Sequence, residues 1–414
     1  MSKNRVVITG LGVVAPNGIG KEEFWQANIA GKSGVDKITS FDASDLDSRI
    51  CGAIKNFDPS KYMPKETAKR VDRFVHLGVA SAKMALEDSK LDLEKEDKTR
   101  IGVIVGSGLG GALYHEEQMV VAFERGAGRL NPLCVPRVSP NSVSSNIAIQ
   151  FGLTGPNMVI STACASGAHA VGEAFHKVRH GEAEICVCGG VEAPLTKFTF
   201  AAYCALRVPS KRNDSPQEAS RPFDKERDGF VLAEGSAIII LEELEHARNR
   251  NAHIYAEIRG YAANSGAYHM VMPQPDGKDA ARVMAAALKD ADLKPQDIDY
   301  INAHGTSTQA NDKAETLAIK EVFSDYAYHI PISSTKSMIG HSIGAAGAIE
   351  ALVCALAIEN DVIPPTINYK HKDPDCDLDY VPNQARKVKA NTALSNSFGF
   401  GSCNAGIIFA KPKE

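Results

Sequence analysis

The sequence predicts an α/β layered protein, and three observations carry that reading. Strand-like runs alternate with helical patterns from one end of the 414 residues to the other. No linker, charge block or low-complexity run divides them. Two stretches in opposite halves also share one arrangement: a strand, a loop with reactive side chains, then a helix of small residues. The chain is long enough for about two or three units of domain size, and at 44% hydrophobic residues it can bury a large core.

The elements follow in order. A first strand is read at Arg5–Thr9, stopped by Gly10, and a helix at Phe74–Asp88. Ile101–Val105 is a continuous apolar run, as expected of a buried strand. Met158–Ser161 ends in small polar residues and leads into a helix over Ala165–His180. Ile185–Cys188 and Ala237–Leu241 complete the first set. The second set comprises strands Ile254–Ile258, Ile298–Asn302, Pro331–Ser334, Ala393–Asn396 and Ile407–Ala410, with helices Asp279–Asp290 and Ser342–Glu359. The two junctions read Ser161-Thr-Ala-Cys164-Ala-Ser-Gly and Ser333-Ser-Thr-Lys336-Ser-Met-Ile-Gly-His341-Ser-Ile-Gly, the pattern of an internal duplication with halves 1–252 and 253–414.

Composition narrows the function classes. A net charge of −4 argues against nucleic acid as a main partner. The N-terminal apolar stretch is broken by Gly10, Gly12 and Pro16, unlike a signal peptide. No stretch is read as reaching the ~18–20 apolar residues of a membrane span. Nine scattered cysteines suit a reducing cytoplasm rather than a disulfide framework. Cys186-Val-Cys188 lacks a second half, so buried thiols are expected there and no metal site.

Four motifs carry candidate chemistry. Cys164 follows a strand and opens a helix, where the dipole favours thiolate and free N–H groups can hold an oxyanion; a buried cysteine packing as a small hydrophobe fits this segment equally well. Asn302-Ala-His304-Gly-Thr306-Ser-Thr308 places His304 at a strand's C-terminal end. Lys336 and His341 enter the second small-residue helix. Asn396-Ser-Phe398-Gly-Phe400-Gly-Ser402 reads as a loop carrying an aromatic plug between glycines. One Cys with two His fits nucleophilic thioester chemistry, and two imidazole N–H groups suit an enolate oxygen. A rival is Gly106-Ser-Gly-Leu-Gly-Gly111, matching G-x-G-x-x-G after a strand, with Gly10-Leu-Gly-Val-Val-Ala15 a second instance. Neither is followed by the second strand and acidic residue that a nicotinamide dinucleotide site requires.

With these residues assembled, the chain resembles the β-ketoacyl-acyl carrier protein synthases of the type II elongating class. The likeness runs from Val6-Val-Ile-Thr-Gly-Leu-Gly to the last strand. It includes Ala163-Cys164-Ala-Ser-Gly, Ser220-Arg-Pro-Phe-Asp-Lys-Glu-Arg-Asp-Gly-Phe-Val, the His304 and His341 segments, Pro364-Pro-Thr-Ile-Asn and Asn396-Ser-Phe-Gly-Phe-Gly. The resemblance implies a thiolase-like five-layered α-β-α-β-α fold from two duplicated halves. It also implies decarboxylative condensation of malonyl carrier with an acyl group held on Cys164. His304 and His341 then promote decarboxylation, and Lys336 supports them with Glu350 and Asp312. Thr306 and Thr308 match phosphopantetheine-binding positions, Phe400 the gate and, with Cys164, the oxyanion hole, and Leu109 an acyl-pocket position. Lys65, Lys69, Arg70 and Arg207 match carrier-docking positions. No tightly bound cofactor is implied, because the substrates ride on the phosphopantetheine arm of the acyl carrier protein.

The departures leave the pathway open. Gly399-Phe-Gly-Ser402 replaces Gly-Phe-Gly-Gly. Val231-Leu-Ala-Glu234-Gly and Met338-Ile-Gly-His-Ser342 are similar to ketosynthase-alpha subunits of type II polyketide synthases, which form heterodimers with a chain-length factor. Fatty-acid elongation as a homodimer stands first. The polyketide heterodimer is the alternative, and a non-catalytic subunit is opposed by the presence of Cys164, His304 and His341.

Overall fold

The computed structural model describes residues 3–412. Strand β1 (Val6–Ala15) is twice the expected length, because Gly10 and Gly12 do not end it. They lie where helix α1 (Arg73–Ser89) crosses the strand. A Cβ on Gly10 would fall 2.2 Å from the Ala85 carbonyl oxygen, and one on Gly12 2.0 Å from that of Ser81. These glycines serve close helix–strand approach rather than a turn.

The first half continues with β2 (Ile101–Gly106), α2 (Ser142–Phe151), β3 (Asn157–Ile160), α3 (Ser166–Arg179), β4 (Ile185–Glu192) and β5 (Gly235–Glu243). The second half repeats the order: β6 (Ala256–Ser265), α4 (Lys278–Ala291), β7 (Tyr300–Asn302), α5 (Gln309–Phe323), β8 (Ile332–Ser333), α6 (Ala346–Asn360), β9 (Thr392–Gly399) and β10 (Cys403–Ala410). Helices α2 and α5, with Ala112–Arg125 and Lys197–Ala205, were not among the expected elements.

The strands form one sheet in the order β3-β2-β4-β5-β1-β6-β10-β9-β7-β8, with the two-residue strand Gly18–Ile19 hanging off β1. Adding five to each label of the first half reproduces the second. Directions repeat as well: β2 runs parallel to β3 and β4, and β7 to β8 and β9, while β5 and β10 are antiparallel to both neighbours. The half-sheets meet over Val6–Ile8.

Three cores separate five layers. Helices α1 and α2 pack on the outer face of the first half-sheet through Phe74, Leu77, Val143 and Ile147. Helices α4 and α5 cover the second through Met284, Leu288, Ile319 and Phe323. Helices α3 and α6 lie between the half-sheets. Being covered on both sides, α6 is apolar all round. By length and composition Ile343–Asn360 would cross a membrane, contrary to the sequence expectation, but 89% of it is buried inside the protein. The helices α3 and α6 touch backbone to backbone: a Cβ on Gly347 would lie 2.7 Å from the Ala168 Cβ, and one on Gly167 2.8 Å from the Ala348 nitrogen.

Candidate active site

Both central helices are entered through the same tight turn. Ala163 (φ 50°) opens the 3₁₀ turn Ala163–Ala165 before α3, and Ile343 (φ 43°) opens Ile343–Ala345 before α6. The repeat therefore pairs Cys164 with Gly344, while Lys336 and His341 sit earlier in their loop. Ser166 staples the first turn: its Oγ donates to the Ala163 carbonyl (2.6 Å) and accepts from Thr162 N (2.9 Å).

The Cys164 side chain is buried among Phe200, Phe230, Leu232 and Ile343. Burial pushes its thiol up to about 12, against the opposing pull of the Lys336 charge and of the backbone N–H groups of Phe400 and Cys164 itself. The thiolate expected from the helix terminus is thus not the resting form, because desolvation outweighs the dipole. The same two N–H groups converge on the sulfur, where an oxyanion of a Cys164 thioester would form.

His304 follows β7, and Glu315 of α5 fixes its loop. The backbone N–H groups of His304 and Gly305 donate to the two Glu315 oxygens (2.9 and 2.8 Å), and Asn396 Nδ2 donates at 3.2 Å. His341 is tied by its N–H to the Val231 carbonyl (2.7 Å). The two rings stand edge to face with centroids 5.5 Å apart. Burial, then the Lys336 charge, holds both imidazoles well below the ordinary 6.5, with His341 adding to the effect on His304. Both are neutral at pH 7. Lys336 Nζ donates to the His304 carbonyl (2.6 Å), lies 3.5 Å from His304 Nδ1 and pairs with Glu350. The nearby ammonium favours the His304 tautomer that leaves Nδ1 bare and carries its proton on Nε2.

A cleft of about 930 Å³ brings together Cys164, His304, His341, Thr306, Thr308 and Phe400. The Thr306 and Thr308 hydroxyls are 3.0 Å apart, and Thr308 also caps α5 by accepting from Asn311 N. Asp312 is buried behind them, accepting from Phe223 N (2.8 Å) beside Arg227 (3.6 Å). Gly401 (φ 81°) and Ser402 (φ 61°) both adopt left-handed backbone. Ser402 Oγ donates to the His269 carbonyl (3.2 Å) and Gly401 N to that of Met270 (2.9 Å).

Other expected residues fall elsewhere. Leu109 does not line the cleft; its side chain is 38% exposed. Lys65, Lys69, Arg70 and Arg207 are exposed, and Lys69 pairs with Glu66 at 2.9 Å. Cys186 and Cys188 are buried in β4. Among the described residues no cluster of three or more His, Cys, Asp and Glu side chains offers a metal site. Asn302 Oδ1, Glu350 Oε2, Ser395 Oγ and Asn396 Oδ1 are buried without partners among those residues, a set of hard oxygens of the kind that holds a water or a hard cation.

Sequence reasoning missed Glu192 and Glu315. Glu192, at the end of β4, accepts from Ser107 Oγ (3.1 Å), Gly108 N (2.7 Å), Leu109 N (3.1 Å) and Gly344 N (3.0 Å). The glycine loop read as a possible phosphate cradle therefore grips the protein's own carboxylate. The signal was the acidic residue closing an apolar strand, in Val191-Glu192-Ala.

Comparison with known proteins was made on this geometry. Residues 3–247 match the family model described as beta-ketoacyl synthase, N-terminal domain, and residues 255–370 the model for its C-terminal domain. A curated protein of Synechocystis sp. named 3-oxoacyl-[acyl-carrier-protein] synthase 2 is 48% identical, over 99% of both chains. The Coxiella burnetii protein of that name is 45% identical, again over 99% of both chains. Among solved structures, a type II PKS acyl-carrier protein in complex with its ketosynthase bound to the hexaketide matches at TM-score 0.92 and 38% identity, over 99% of this chain and 100% of that one. The ishigamide ketosynthase/chain length factor matches at 0.93 and 34%, over 100% of each.

Proposed function

Because this chain belongs to the beta-ketoacyl synthase family, with its thiolase-like fold, we propose that it works as a 3-oxoacyl-[acyl-carrier-protein] synthase that elongates fatty acyl chains. It is an acyltransferase, and the observation that carries the residue assignment is the convergence of Cys164, His304 and His341 on one cleft with two backbone N–H groups on the sulfur. In the first half-reaction the Cys164 sulfur attacks an acyl thioester. Its proton passes through a neutral imidazole to the departing pantetheine thiol, while the Cys164 and Phe400 N–H groups hold the tetrahedral oxyanion. In the second, the malonyl C–C bond breaks and carbon dioxide leaves. The enolate oxygen accepts hydrogen bonds from His304 and His341, and the enolate carbon displaces the cysteine sulfur. Lys336, paired with Glu350, sets the His304 tautomer, and Asp312 and Glu315 hold the loops. Thr306 and Thr308 receive the pantetheine amides.

The acyl carrier protein delivers both substrates, docking on Lys65, Lys69, Arg70 and Arg207; no resident cofactor takes part. Residues 1–252 supply the cysteine and 253–414 the histidines, and the working place is the cytoplasm. The free edge of β3 and the exposed Phe123, Val135 and Ile149 support a dimer through the first half. The second reading is a polyketide ketosynthase paired with a chain-length factor. It rests on the two solved relatives above, whose identities of 38% and 34% lie below those of the curated synthases.

The test is peptide mapping after incubation with acyl carrier. Cys164 takes the acyl group, Cys164→Ala takes none and stays folded, and Cys164→Gln still releases carbon dioxide from malonyl carrier. Acylation at another cysteine overturns the assignment. Elongation by the chain alone supports the fatty-acid role; activity that requires a cysteine-less paralogue establishes the polyketide role.

A further inference from the structure

Helix Lys197–Ala205 presents Tyr203 to the cleft that holds Cys164. The wall around it is apolar. Val208, Phe230 and Ile343 line it, and the Phe230 ring meets that of Tyr203 edge-on with centroids 5.8 Å apart. The Tyr203 hydroxyl has no hydrogen-bond partner among the described residues. Burial, then the proximity of Cys164 and Glu192, holds the phenol far above its ordinary range, so it remains a neutral O–H donor. A half-buried donor beside the nucleophile draws its acceptor from water or from whatever is loaded on the sulfur. A saturated acyl chain displaces water from this wall and offers no acceptor beyond its thioester. A chain with a carbonyl or hydroxyl a few atoms along offers one.

We propose that Tyr203 is a specificity-determining residue that favours acyl groups bearing an oxygen close to the thioester, such as 3-hydroxyacyl or 3-oxoacyl groups, over saturated chains of equal length. The inference rests on the reading of Cys164 as the acyl carrier. Discrimination of this kind is steep because the analogue lacking the oxygen leaves a donor unpaired.

The experiment is a competition on the full chain between octanoyl-pantetheine and 3-hydroxyoctanoyl-pantetheine, read by mass spectrometry of the Cys164 peptide. Tyr203→Phe keeps the ring and removes the hydroxyl. The expected result is a fall of about tenfold in the ratio of hydroxylated to saturated adduct. Tyr203→Leu, which also removes the ring, gives a fall of the same direction. An unchanged ratio in Tyr203→Phe overturns the proposal, as does a change confined to Tyr203→Leu, which assigns the effect to ring volume. Failure of both donors to load Cys164 in the unaltered chain overturns the carrier role instead, so the two failures are distinct.

Discussion

Replacing Glu192 by Gln tests whether one carboxylate holds two loops of the site in register. The side chain accepts four hydrogen bonds, from Ser107 and Leu109 on one oxygen and from Gly108 and Gly344 on the other. A glutamine of the same shape best places its oxygen toward Gly108 and Gly344. Its amide then faces the Ser107 hydroxyl, which can turn to accept, and the Leu109 N–H, which cannot. One buried donor is orphaned, at a cost of about 1–3 kcal/mol. Glu192→Ala orphans three N–H groups and costs roughly 3 kcal/mol or more. Urea unfolding of the full chain followed by circular dichroism reads both variants, and the expected order is wild type, Gln, Ala. Gly344 follows Ile343 of the acyl wall, so acylation of Cys164 slows in the same order. A Gln variant within about 0.5 kcal/mol of wild type, the ordinary scatter of surface substitutions, refutes the reasoning.

Three further outcomes follow. His304→Ala and His341→Ala still load an acyl group but lose malonyl decarboxylation by about 10²–10³-fold, as on removing one oxyanion donor; carbon dioxide release measures it, and normal release in both sinks the role. Burial and Lys336 hold both imidazoles below 6.5, so they stay neutral as pH falls through that value and the acid limb of the pH–rate profile lies below it. Lys336→Met removes a cation that depresses both, so the limb moves up towards 6.5; a fixed limb denies the coupling. Reversing Lys69, Arg70 and Arg207 to Glu raises KM for carrier-bound substrate and spares acyl-pantetheine, because rim charges act on association; equal losses place these residues in the fold.

The junctions were legible because a strand ending in small polar residues before an Ala/Gly helix is a local pattern. The duplicated order followed from it, and Cys164, His304 and His341 with it. What the sequence hid is set by contacts made elsewhere. Gly10 and Gly12 read as a strand end or a fingerprint, yet the deciding atoms are carbonyls of Ser81 and Ala85, about 70 residues on. Helix α5 was missed although Thr308 caps it and Asp312 lies in its first turn, since both had been read only as site residues. The state of Cys164 failed for a related reason: a helix terminus is visible in sequence, whereas the apolar cluster that raises the thiol is assembled from four distant segments.

The direct contact of α3 with α6 makes the distance between sulfur and imidazoles a property of the main chain. Where Gly167 meets Ala348 and Gly347 meets Ala168, no side chain is available to trade for another, so mutation has almost nothing to work on. The opposite holds at the acyl wall, where Tyr203, Val208, Phe230 and Ile343 are ordinary side chains on separate elements. Drift in such a protein is therefore channelled: what is loaded onto the sulfur can be renegotiated one residue at a time, while the condensing step is inherited unchanged.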